Sequence, residues 1–473
     1  MKQLLLPKKI VSANGVENVR ALYKKQPLTP VLRWDEGWES QIARANVGAT
    51  LLLDFGKEMH GGIRMLLSRA KNGTKARIRF GESVGETYAE LGEKNATNDH
   101  SPRDITVELS AFSDLTFGQT GFRFVKIDFL SGGECCLQNV FCENQIFAGK
   151  MQYRYQGTDK EIAQIFNAAK RTVDLCASTP FVWDGVKRDR LVWVGDLHPE
   201  MLALTTLYGK IPQIERSLTY IKNQTPLPAW MNGYPAYSLW WIIVLADYVR
   251  ETGALTYAQG QKEYLLALVS FLGEHVSQTG ELSFPDYFLD WPTCGTPDAK
   301  EGVQALALWA MQKAEYLLSA LNENPQSATE IKRRLQAYVR KPTDKKQVIA
   351  IRYMATGNLT EGEYQTLIKG GAKGLSTFTA YYILKAIASK NPQTATQIMK
   401  EYYGGMLSLG ATTFWEDFNV EWLSGSAPIT RLPKTGERDI HGDHGAFCYQ
   451  GFRHSLCHGW SAGVIKFIKE YCF

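Results

Sequence analysis

The 473-residue sequence has no long apolar run and no block of like charge. Its 53 basic and 48 acidic residues give a formal net charge of +5 and are dispersed, so no electrostatic footprint for nucleic acid or a membrane surface is present. The N-terminal stretch "MKQLLLPKKIVSANG" has only three consecutive leucines, too few for a signal peptide or a membrane span. We therefore expect neither nucleic acid nor membrane as a partner. Both a cytoplasmic and, after removal of a signal, a periplasmic location stay open.

The sequence also lacks several well-known motifs. Its eight cysteines are irregularly spaced, which fits free thiols better than a disulfide framework or a zinc ribbon. There is no GxSxG elbow, no Walker loop, no dinucleotide fingerprint after a strand and no Cys/His nucleophile signature. These absences argue against the enzyme classes that depend on those motifs. We expect no cofactor.

Aromatic residues, by contrast, are frequent. They make up 12% of the chain, with 12 Trp, 22 Tyr and 21 Phe, and many stand beside carboxylates or glycines. Aromatic faces stack on the C–H faces of sugars while neighbouring carboxylates bind the hydroxyls. A carbohydrate-binding lining and a large aromatic core are both compatible with this composition.

The pattern of apolar residues divides the chain in two. From about residue 48 to 130, short runs rich in β-formers, such as "ATLLLDFG" and "GFRFVKIDFL", predict an antiparallel β-sandwich, and "ETYAELGEKNATNDHSPRD" predicts a long surface loop. From about residue 155 the apolar residues follow helical spacing, with about a dozen helices in roughly 320 residues. That number fits a closed ring of helical hairpins better than a bundle. We predict a sandwich domain over 1–150 and an all-helical domain over 151–473.

The stretch "WDGVKRDRLVWVGDLHPE" mixes carboxylates, guanidinium groups and indoles. It is too interrupted for an amphipathic helix, and its end predicts a helix start with Asp196 at the N-cap. Taken singly, Asp184, Arg188, Asp189 and Arg190 fit a surface ion-pair network. Taken together they predict a polyol-binding acid/base loop, because arginines fix carboxylate rotamers and a carboxyl packed on indole can have a raised pKa.

Two further stretches carry carboxylates beside indoles. In "LGATTFWEDFNVEWL" Glu416 follows Trp415, and in "SFPDYFLDWPTCG" Asp290 precedes Trp291. An ordinary salt bridge is the alternative for Glu416, and the second stretch is weak by itself. Glycoside hydrolysis is the reaction class that requires two carboxylates on separate loops and little else.

Half of the chain's eight histidines crowd into "RDIHGDHGAFCYQGFRHSLCHGW". His and Asp are zinc-type ligands, but no recognised ligand spacing is present, and HxxH in a Gly-rich loop is not the helical HExxH of a metalloprotease. We therefore expect no catalytic metal. These side chains are expected to bind sugar hydroxyls or one another.

At these residues the chain resembles a known family. "WDGVKRDRLVWVGD" is similar to the signature of family 78 glycoside hydrolases, the bacterial α-L-rhamnosidases, which reads Arg-Asp-Glu-Arg-Leu-Gly-Trp and then Gly-Asp. "GATTFWEDF" resembles that family's Gly-Ala-Thr-Thr-x-Trp-Glu segment, "SLCHGWSAG" its closing histidine turn, and "DFGKEMHGGIRMLL" and "IRFGESVGE" its preceding sandwich. The resemblance runs from about residue 45 to 473. It implies a β-sandwich followed by an (α/α)6 barrel.

The activity that the resemblance implies is inverting hydrolysis of terminal α-L-rhamnosides in plant or bacterial polysaccharides or glycosides. The resemblance places the general acid at Asp189 and the general base at Glu416. It assigns substrate binding or orientation of the carboxylates to Asp184, Arg188, Arg190, Trp193, Asp196, Trp291 and His458. From the two further acid–indole stretches we also expect Asp290 and Trp415 to bind substrate.

The chain departs from the family pattern in two ways. Asp189 stands where the family has a glutamate, one methylene longer, so either the backbone brings Asp189 nearer the leaving oxygen or Asp184 is the acid. The sequence ends soon after "SAGVIKFIKEYCF", whereas a C-terminal β-sandwich often follows the barrel in the family. A hydrolase for another deoxy sugar or a uronide, and a binding protein that lost catalysis, are the alternative functions. No pattern in the sequence indicates the oligomeric state.

Overall fold

The computed structural model describes residues 1–97 and 102–472. The N-terminal part is an antiparallel sheet unit, and helices make up most of the remainder. The strands of the sheet unit are β1 (Lys2–Leu5), β2 (Lys9–Glu17), β3 (Ala43–Ala70), β4 (Lys75–Gly81), β5 (Asp104–Glu108), β6 (Ser113–Ser131) and β7 (Cys135–Gln145). Two short helices, α1 (Glu36–Glu39) and α2 (Val84–Tyr88), lie between them.

The sheet order is β1-β7-β3-β6-β4-β5, with β2 paired to β3. The long strands β3 and β6 run through the whole sheet and change register where Asp54 pairs with Phe124 and Met59 with Phe122. Extra residues in one strand bend it, so the sheet folds over on itself. Alternate residues of both halves, such as Leu51 and Ile63, fill one buried core. The predicted sandwich is therefore a single folded sheet.

Strands extend beyond the predicted limits of 48 and 130. The sequence of β7 does not alternate apolar and polar residues, because the strand buries polar residues, including Gln138 and Asn139. Their amide nitrogens donate to the backbone carbonyls of Pro27 and Lys24, which pairs these buried donors without water. The predicted long loop begins in α2, and its residues 98–101 lie outside the described residues.

The helical part alternates longer and shorter connections. Its helices are α3 (Lys160–Cys176), α4 (Leu197–Tyr208), α5 (Pro212–Gln224), α6 (Pro235–Thr252), α7 (Leu255–Gln259), α8 (Lys262–Glu274), α9 (Pro297–Ala320), α10 (Gln326–Gln336), α11 (Lys346–Thr356), α12 (Glu361–Ile368), α13 (Ala380–Ala388), α14 (Pro392–Ser408) and α15 (Val464–Tyr471). A two-stranded parallel pair, β8 (Ser426–Ala427) and β9 (Arg438–Asp439), lies before α15.

The helices form a closed double ring. α4, α6, α9, α11, α13 and α15 pack on one another in that order, and α15 packs back on α4. α3, α5, α8, α10, α12 and α14 alternate with them in the chain. Burial separates the two sets: α6 is buried from Pro235 to Val249 on every face, whereas α10 buries only Ala328, Ile331 and Leu335. The predicted ring of helical hairpins is confirmed.

The closed ring places the loops before α4, α6, α9, α13 and α15 at one end. Each of these loops leads into the N-terminus of an inner helix. No helix in the described part of the chain is at once long enough and apolar enough to cross a lipid bilayer.

Candidate active site

A cavity of about 110 Å³ opens at the N-terminal ends of the inner helices. Carboxylates, aromatic rings and one arginine share its wall, which is the lining expected for a sugar site. The lining residues are Asp184, Arg188, Asp189, Trp193, Asp196, Tyr234, Tyr237, Phe288, Trp291, Glu416, Cys448, Tyr449, His458 and Trp460.

Most of the residues singled out in the sequence meet in this cavity. Those that line it are Asp184, Arg188, Asp189, Trp193, Asp196, Trp291, Glu416 and His458. Arg190, Asp290 and Trp415 lie beside or behind it and are absent from its wall.

These three residues make contacts that support the wall. Arg190 donates to the backbone carbonyls of Val186 and Gln119 rather than to a carboxylate. Asp290 accepts from the Trp291 N–H and from the hydroxyls of Ser376 and Thr379, which fixes the Trp291 turn against α13. Trp415 is buried against Phe418 and His454.

The loop before α4 is held by its own backbone. Asp184 N–H donates to Leu191 O at 3.1 Å, and Leu191 N–H donates to Asp184 Oδ1 at 2.9 Å. Between them Asp189 and Arg190 have φ of +54° and +58°, the left-handed region that non-glycine residues seldom adopt. Such strain clusters at functional sites. Two consecutive strained residues here fold the loop back so that Asp189 lines the cavity.

Asp196 lies at the N-cap position of α4 but does not cap the helix. Its backbone is helical, with φ −59° and ψ −36°, and its side chain accepts no bond from the first turn. Instead its Oδ1 lies 3.5 Å from the Tyr237 hydroxyl, inside the cavity. A carboxylate released from capping in this way is available to a ligand.

Arg188 connects the two carboxylates proposed for chemistry. Its guanidinium contacts Asp189 Oδ2 at 3.2 Å through one nitrogen and Glu416 Oε1 through the other. Glu416 is 3% exposed, and its Oε2 accepts from the Ser455 N–H at 3.0 Å. The Glu416 carbonyl also accepts from Trp460 Nε1 at 3.1 Å. Glu416 is therefore fixed at both its carboxylate and its backbone.

His458 lies among three carboxylates without bonding directly to any of them. Its Nε2 is 3.6 Å from Glu416 Oε1 and 3.9 Å from both Asp184 Oδ2 and Asp196 Oδ2. These separations exceed a hydrogen bond, and a ligand hydroxyl could bridge them. The imidazole packs against Trp460, with ring centroids 4.2 Å apart.

Burial controls the charges in the cavity. It raises the pKa values of Asp184 and Asp196 well above the usual range, and a neighbouring carboxylate adds to the effect, Asp196 for Asp184 and Glu416 for Asp196. Burial also raises the pKa of Glu416, but the Arg188 charge opposes it. The pKa of His458 is lowered well below its usual range by burial. Burial therefore favours the protonated form of the two aspartates, and Glu416 is the carboxyl that has a cation to stabilise its ionised form.

A buried polar cluster lies behind the loop. Ligand atoms of Glu82, Glu86 and His441 lie within 4.8 Å of one another and could hold a metal ion. The Lys187 ammonium, however, is 3.1 Å from Glu82 and 3.2 Å from Glu86 and also donates to the carbonyl of His454. A metal there would have to displace this ammonium, so the cluster fits a lysine-centred ion pair.

The same Glu82 reaches the site from the sheet unit. Its Oε2 accepts from the Leu456 N–H at 2.6 Å, and its Oε1 accepts from the Ser455 hydroxyl at 3.2 Å. Ser455 is the residue whose N–H binds Glu416. The sheet unit thus supports the segment that holds Glu416.

The predicted histidine cluster divides between the site and its support. His458 lines the cavity, His441 Nδ1 hydrogen-bonds with the Ser83 hydroxyl while its Nε2 lies 3.4 Å from the Lys187 ammonium, and His454 Nε2 accepts from the Asp417 N–H. His444 stacks on Trp422.

Several aromatic residues of the cavity wall escaped the sequence reading. Tyr234 and Tyr237 lie immediately before and in the first turn of α6, and Trp460 lies shortly before α15. Phe288 lies in the loop before α9, and Tyr449 lies in the histidine-rich segment. Helix-start rules identify the turn but not which aromatic ring faces the ring axis.

Comparison with known proteins supports the same fold. Residues 44–147 match the sequence model of the bacterial alpha-L-rhamnosidase concanavalin-like domain. No curated protein matches the chain significantly. The match covers most of the sheet unit and none of the helical ring.

Solved rhamnosidases contain the architecture of this chain. The rhamnosidase from Klebsiella oxytoca, solved with rhamnose bound, superposes with a TM-score of 0.75 at 17% identity over 100% of this chain and 96% of its own. The family 78 rhamnosidase of Bacillus sp. GL1 gives 0.71 at 18% identity, over 96% of this chain and 48% of its own. The Streptomyces avermitilis α-L-rhamnosidase complexed with L-rhamnose gives 0.66 at 14% identity, over 89% and 42%. The chain is rhamnosidase-like in its fold and in its sheet unit.

Proposed function

We propose that this rhamnosidase-like protein is a glycoside hydrolase that removes terminal α-L-rhamnose from plant or bacterial polysaccharides or glycosides with inversion. The rhamnosidase-like fold supports a glycosidase acting on rhamnose. The observation that carries the proposal is the arrangement around Arg188, which contacts Asp189 and Glu416 in an aromatic-lined cavity. Two carboxylates across one small cavity are the machinery of glycoside hydrolysis.

Glu416 is the proposed general base. Arg188 favours its ionised form, and the Ser455 N–H aims one oxygen. An ionised, fixed carboxylate can remove a proton from the water that attacks the anomeric carbon.

Asp189 is the proposed general acid. Its side chain is 20% exposed, whereas those of Asp184 and Glu416 are 4% and 3% exposed, so it lies at the open side of the cavity where a leaving group would be. Arg188 contacts Asp189 as well as Glu416. Asp184 is the second candidate because burial raises its pKa, which favours the protonated form that an acid needs.

Inversion requires space for water between the base and the sugar. The two carboxyl groups of inverting glycosidases stand roughly 6.5–9.5 Å apart, and those of retaining enzymes about 5–5.5 Å. The Arg188 guanidinium lies between Asp189 and Glu416, which favours the wider arrangement.

The remaining wall suits a 6-deoxy sugar. Trp193 and Trp291 offer apolar faces for the methyl group, while Asp184, Asp196 and His458 are placed to bind hydroxyls. Burial raises the pKa values of both aspartates and so favours the protonated carboxyl, which can donate as well as accept and therefore matches hydroxyl groups.

The test is hydrolysis of p-nitrophenyl α-L-rhamnoside and of rhamnose-containing oligosaccharides by wild type, Asp189→Asn, Asp184→Asn and Glu416→Gln. Glu416→Gln should lose roughly 10²–10⁴-fold in kcat on both substrates. Of the two aspartate variants, the one that lacks the general acid should lose more kcat on the oligosaccharide than on the nitrophenyl glycoside, because nitrophenolate leaves with little protonation. This difference identifies which aspartate is the acid.

The first-formed anomer of rhamnose, followed by NMR, tests inversion. A β-anomer first supports the proposal, and an α-anomer first contradicts it. Binding of rhamnose without any turnover by the wild type would instead indicate a carbohydrate-binding protein that has lost catalysis. Turnover of a different deoxy sugar or a uronide, with no turnover of rhamnosides, would indicate the related hydrolase.

A further inference from the structure

A cleft of about 870 Å³ lies apart from the candidate active site, between the sheet unit and α3. Gln3 of β1 and Lys57 at the bend of β3 form one wall, and residues 163–174 form the other. Thr412 closes one end. Ligand sites occur preferentially at such junctions between structural units.

The cleft concentrates positive charge. Lys57, Arg154, Lys170 and Arg171 line it, and Asp174 is the acidic residue among its lining residues. Asp174 is bound by Lys170 and by the Tyr208 hydroxyl. The other three cations have no carboxylate within 4.0 Å among residues 1–97 and 102–472.

The excess of cations over carboxylates in the cleft is clearest at Arg171. It is only part-exposed, and its guanidinium donates to the backbone carbonyl of Glu58 rather than to a carboxylate. Partial burial and the nearby charges of Arg171, Lys8 and Lys170 lower the pKa of Lys57. Clustered cations repel one another, and an anion between them would remove that cost.

The neutral part of the wall has the groups that bind sugars. Gln164 and Asn167 lie seven and four positions before Arg171, so the three share one face of α3. Both amide side chains line the cleft, are exposed and make no hydrogen bond within the described chain. The Tyr155 ring is half-buried in the cleft, and no aromatic ring of the described residues stacks on it. Free amides and an unstacked aromatic face suit sugar hydroxyls and C–H groups.

We infer that this cleft is a second, non-catalytic binding site for an anionic oligosaccharide. The carboxylate or sulfate groups of the oligosaccharide bind Lys57, Arg154 and Arg171, and its neutral sugar units lie on Tyr155 and on the side-chain amides of α3. The saccharide class rests on the proposed function, whereas the anionic character rests on the charge distribution alone.

The cleft is also joined to the catalytic segment. Thr412 accepts the Glu58 N–H at 2.9 Å and lies four residues before Glu416. A chain seated in the cleft is therefore held next to the segment that carries the base. Such a site would retain an acidic polymer between rounds of hydrolysis.

The experiment measures binding by calorimetry to the full-length Glu416→Gln variant, which prevents turnover. The probes are oligogalacturonate, a sulfated oligosaccharide, a neutral oligosaccharide of equal length and inorganic sulfate. The test variant adds Lys57→Ala and Arg154→Ala, both exposed positions, and the matched control adds Arg20→Ala and Lys25→Ala, an exposed pair elsewhere on the sheet unit.

We expect at least one charged oligosaccharide to bind, with affinity that falls as salt rises. The affinity should fall tenfold or more in the test variant and stay unchanged in the control. Preference between the carboxylated and the sulfated probe identifies the anion. No binding of either, equal binding of the neutral probe, or equal binding by the test variant overturns the inference. Competition by inorganic sulfate as strong as that of the oligosaccharides overturns the saccharide class.

Activity separates this inference from the proposed function. Lys57→Ala/Arg154→Ala in an otherwise wild-type chain should hydrolyse p-nitrophenyl α-L-rhamnoside at the wild-type rate, because that uncharged substrate does not reach the cleft. A wild type that binds charged oligosaccharides but hydrolyses no rhamnoside would contradict the proposed function and leave the cleft assignment standing.

Discussion

Asp290→Asn should make the protein more stable near neutral pH and leave its stability unchanged in acid. Asp290 is 2% exposed, and burial raises its pKa from 3.8 to about 6 despite hydrogen bonds from Ser376, Thr379 and the Trp291 N–H. A difference of about two pKa units corresponds to about 3 kcal/mol. Asparagine has the same shape and can donate to the two hydroxyls, so the substitution mainly removes the cost of the buried charge.

The sign follows from the two ionisation states. Below about pH 4 the carboxyl is protonated in both the folded and the unfolded chain, so burial of a charge costs nothing. Between pH 4 and 6 the unfolded chain releases the proton first, and the stability of the wild type falls as pH rises. Above pH 6 the full cost of about 3 kcal/mol is present, and the asparagine variant avoids it.

The assay is the thermal midpoint at pH 4 and pH 7.5, with Asp286→Asn as the control. Asp286 lies in the same loop and is exposed, so its substitution should produce no pH-dependent difference. The Asp290→Asn midpoint should exceed that of the wild type by a few degrees at pH 7.5 and match it at pH 4. A lower midpoint at pH 7.5 would refute the reasoning, because it would show that the hydrogen bonds to the carboxylate outweigh its burial. An unchanged KM for rhamnoside would agree with the position of Asp290 outside the cavity wall.

Three other substitutions test the site. Arg188→Lys should lower kcat on rhamnosides by tenfold or more with little change in the thermal midpoint, because one ammonium cannot contact both Asp189 and Glu416 as the guanidinium does; wild-type kcat in this variant would contradict the bridging role. Glu82→Gln should lower kcat more than KM and shift the basic or acidic limb of the pH–rate profile, because it loosens the segment that holds Glu416. An unaltered pH–rate profile would show that Glu82 contributes to stability alone. Cys448 is exposed in the cavity wall, and desolvation raises the pKa of its thiol to about 12, so alkylation should proceed faster at alkaline pH, abolish hydrolysis and be slowed by rhamnose; a Cys448→Ser variant should resist the reagent, and inactivation of that variant would point to Cys294 instead.

Much of the fold could be predicted because the local spacing of apolar residues distinguishes helices from strands. Helices such as α6 and α10 repeat apolar residues at helical spacing, and the ring follows from their number. β7 could not be predicted in this way, because Gln138 and Asn139 are buried against carbonyls of a distant segment. That partner is defined only by the tertiary fold.

The candidate site shows the same division. Asp184, Asp189 and Glu416 could be singled out because carboxylates beside indoles are unusual. The separation of Trp291, in the wall, from Asp290, behind it, depends on one turn of 3-10 helix, which places adjacent side chains in different directions. Tyr237 was missed because its ring looks like any other apolar residue of α6 until the ring of helices closes.

The charged loop before α4 owes its shape to three cations that point in different directions. Lys187 points to Glu82 and Glu86 in the sheet unit, Arg188 to the carboxylates in the cavity, and Arg190 to backbone carbonyls. A helix would turn successive side chains by a fixed angle and a strand would alternate them between two faces, so neither could aim this sequence at three targets. The left-handed conformation at positions 189 and 190 is what allows it. The strain at these two residues is therefore the structural cost of fixing Arg188 between Asp189 and Glu416, and a glycine at position 190 would relieve the strain while removing the anchor that Arg190 provides.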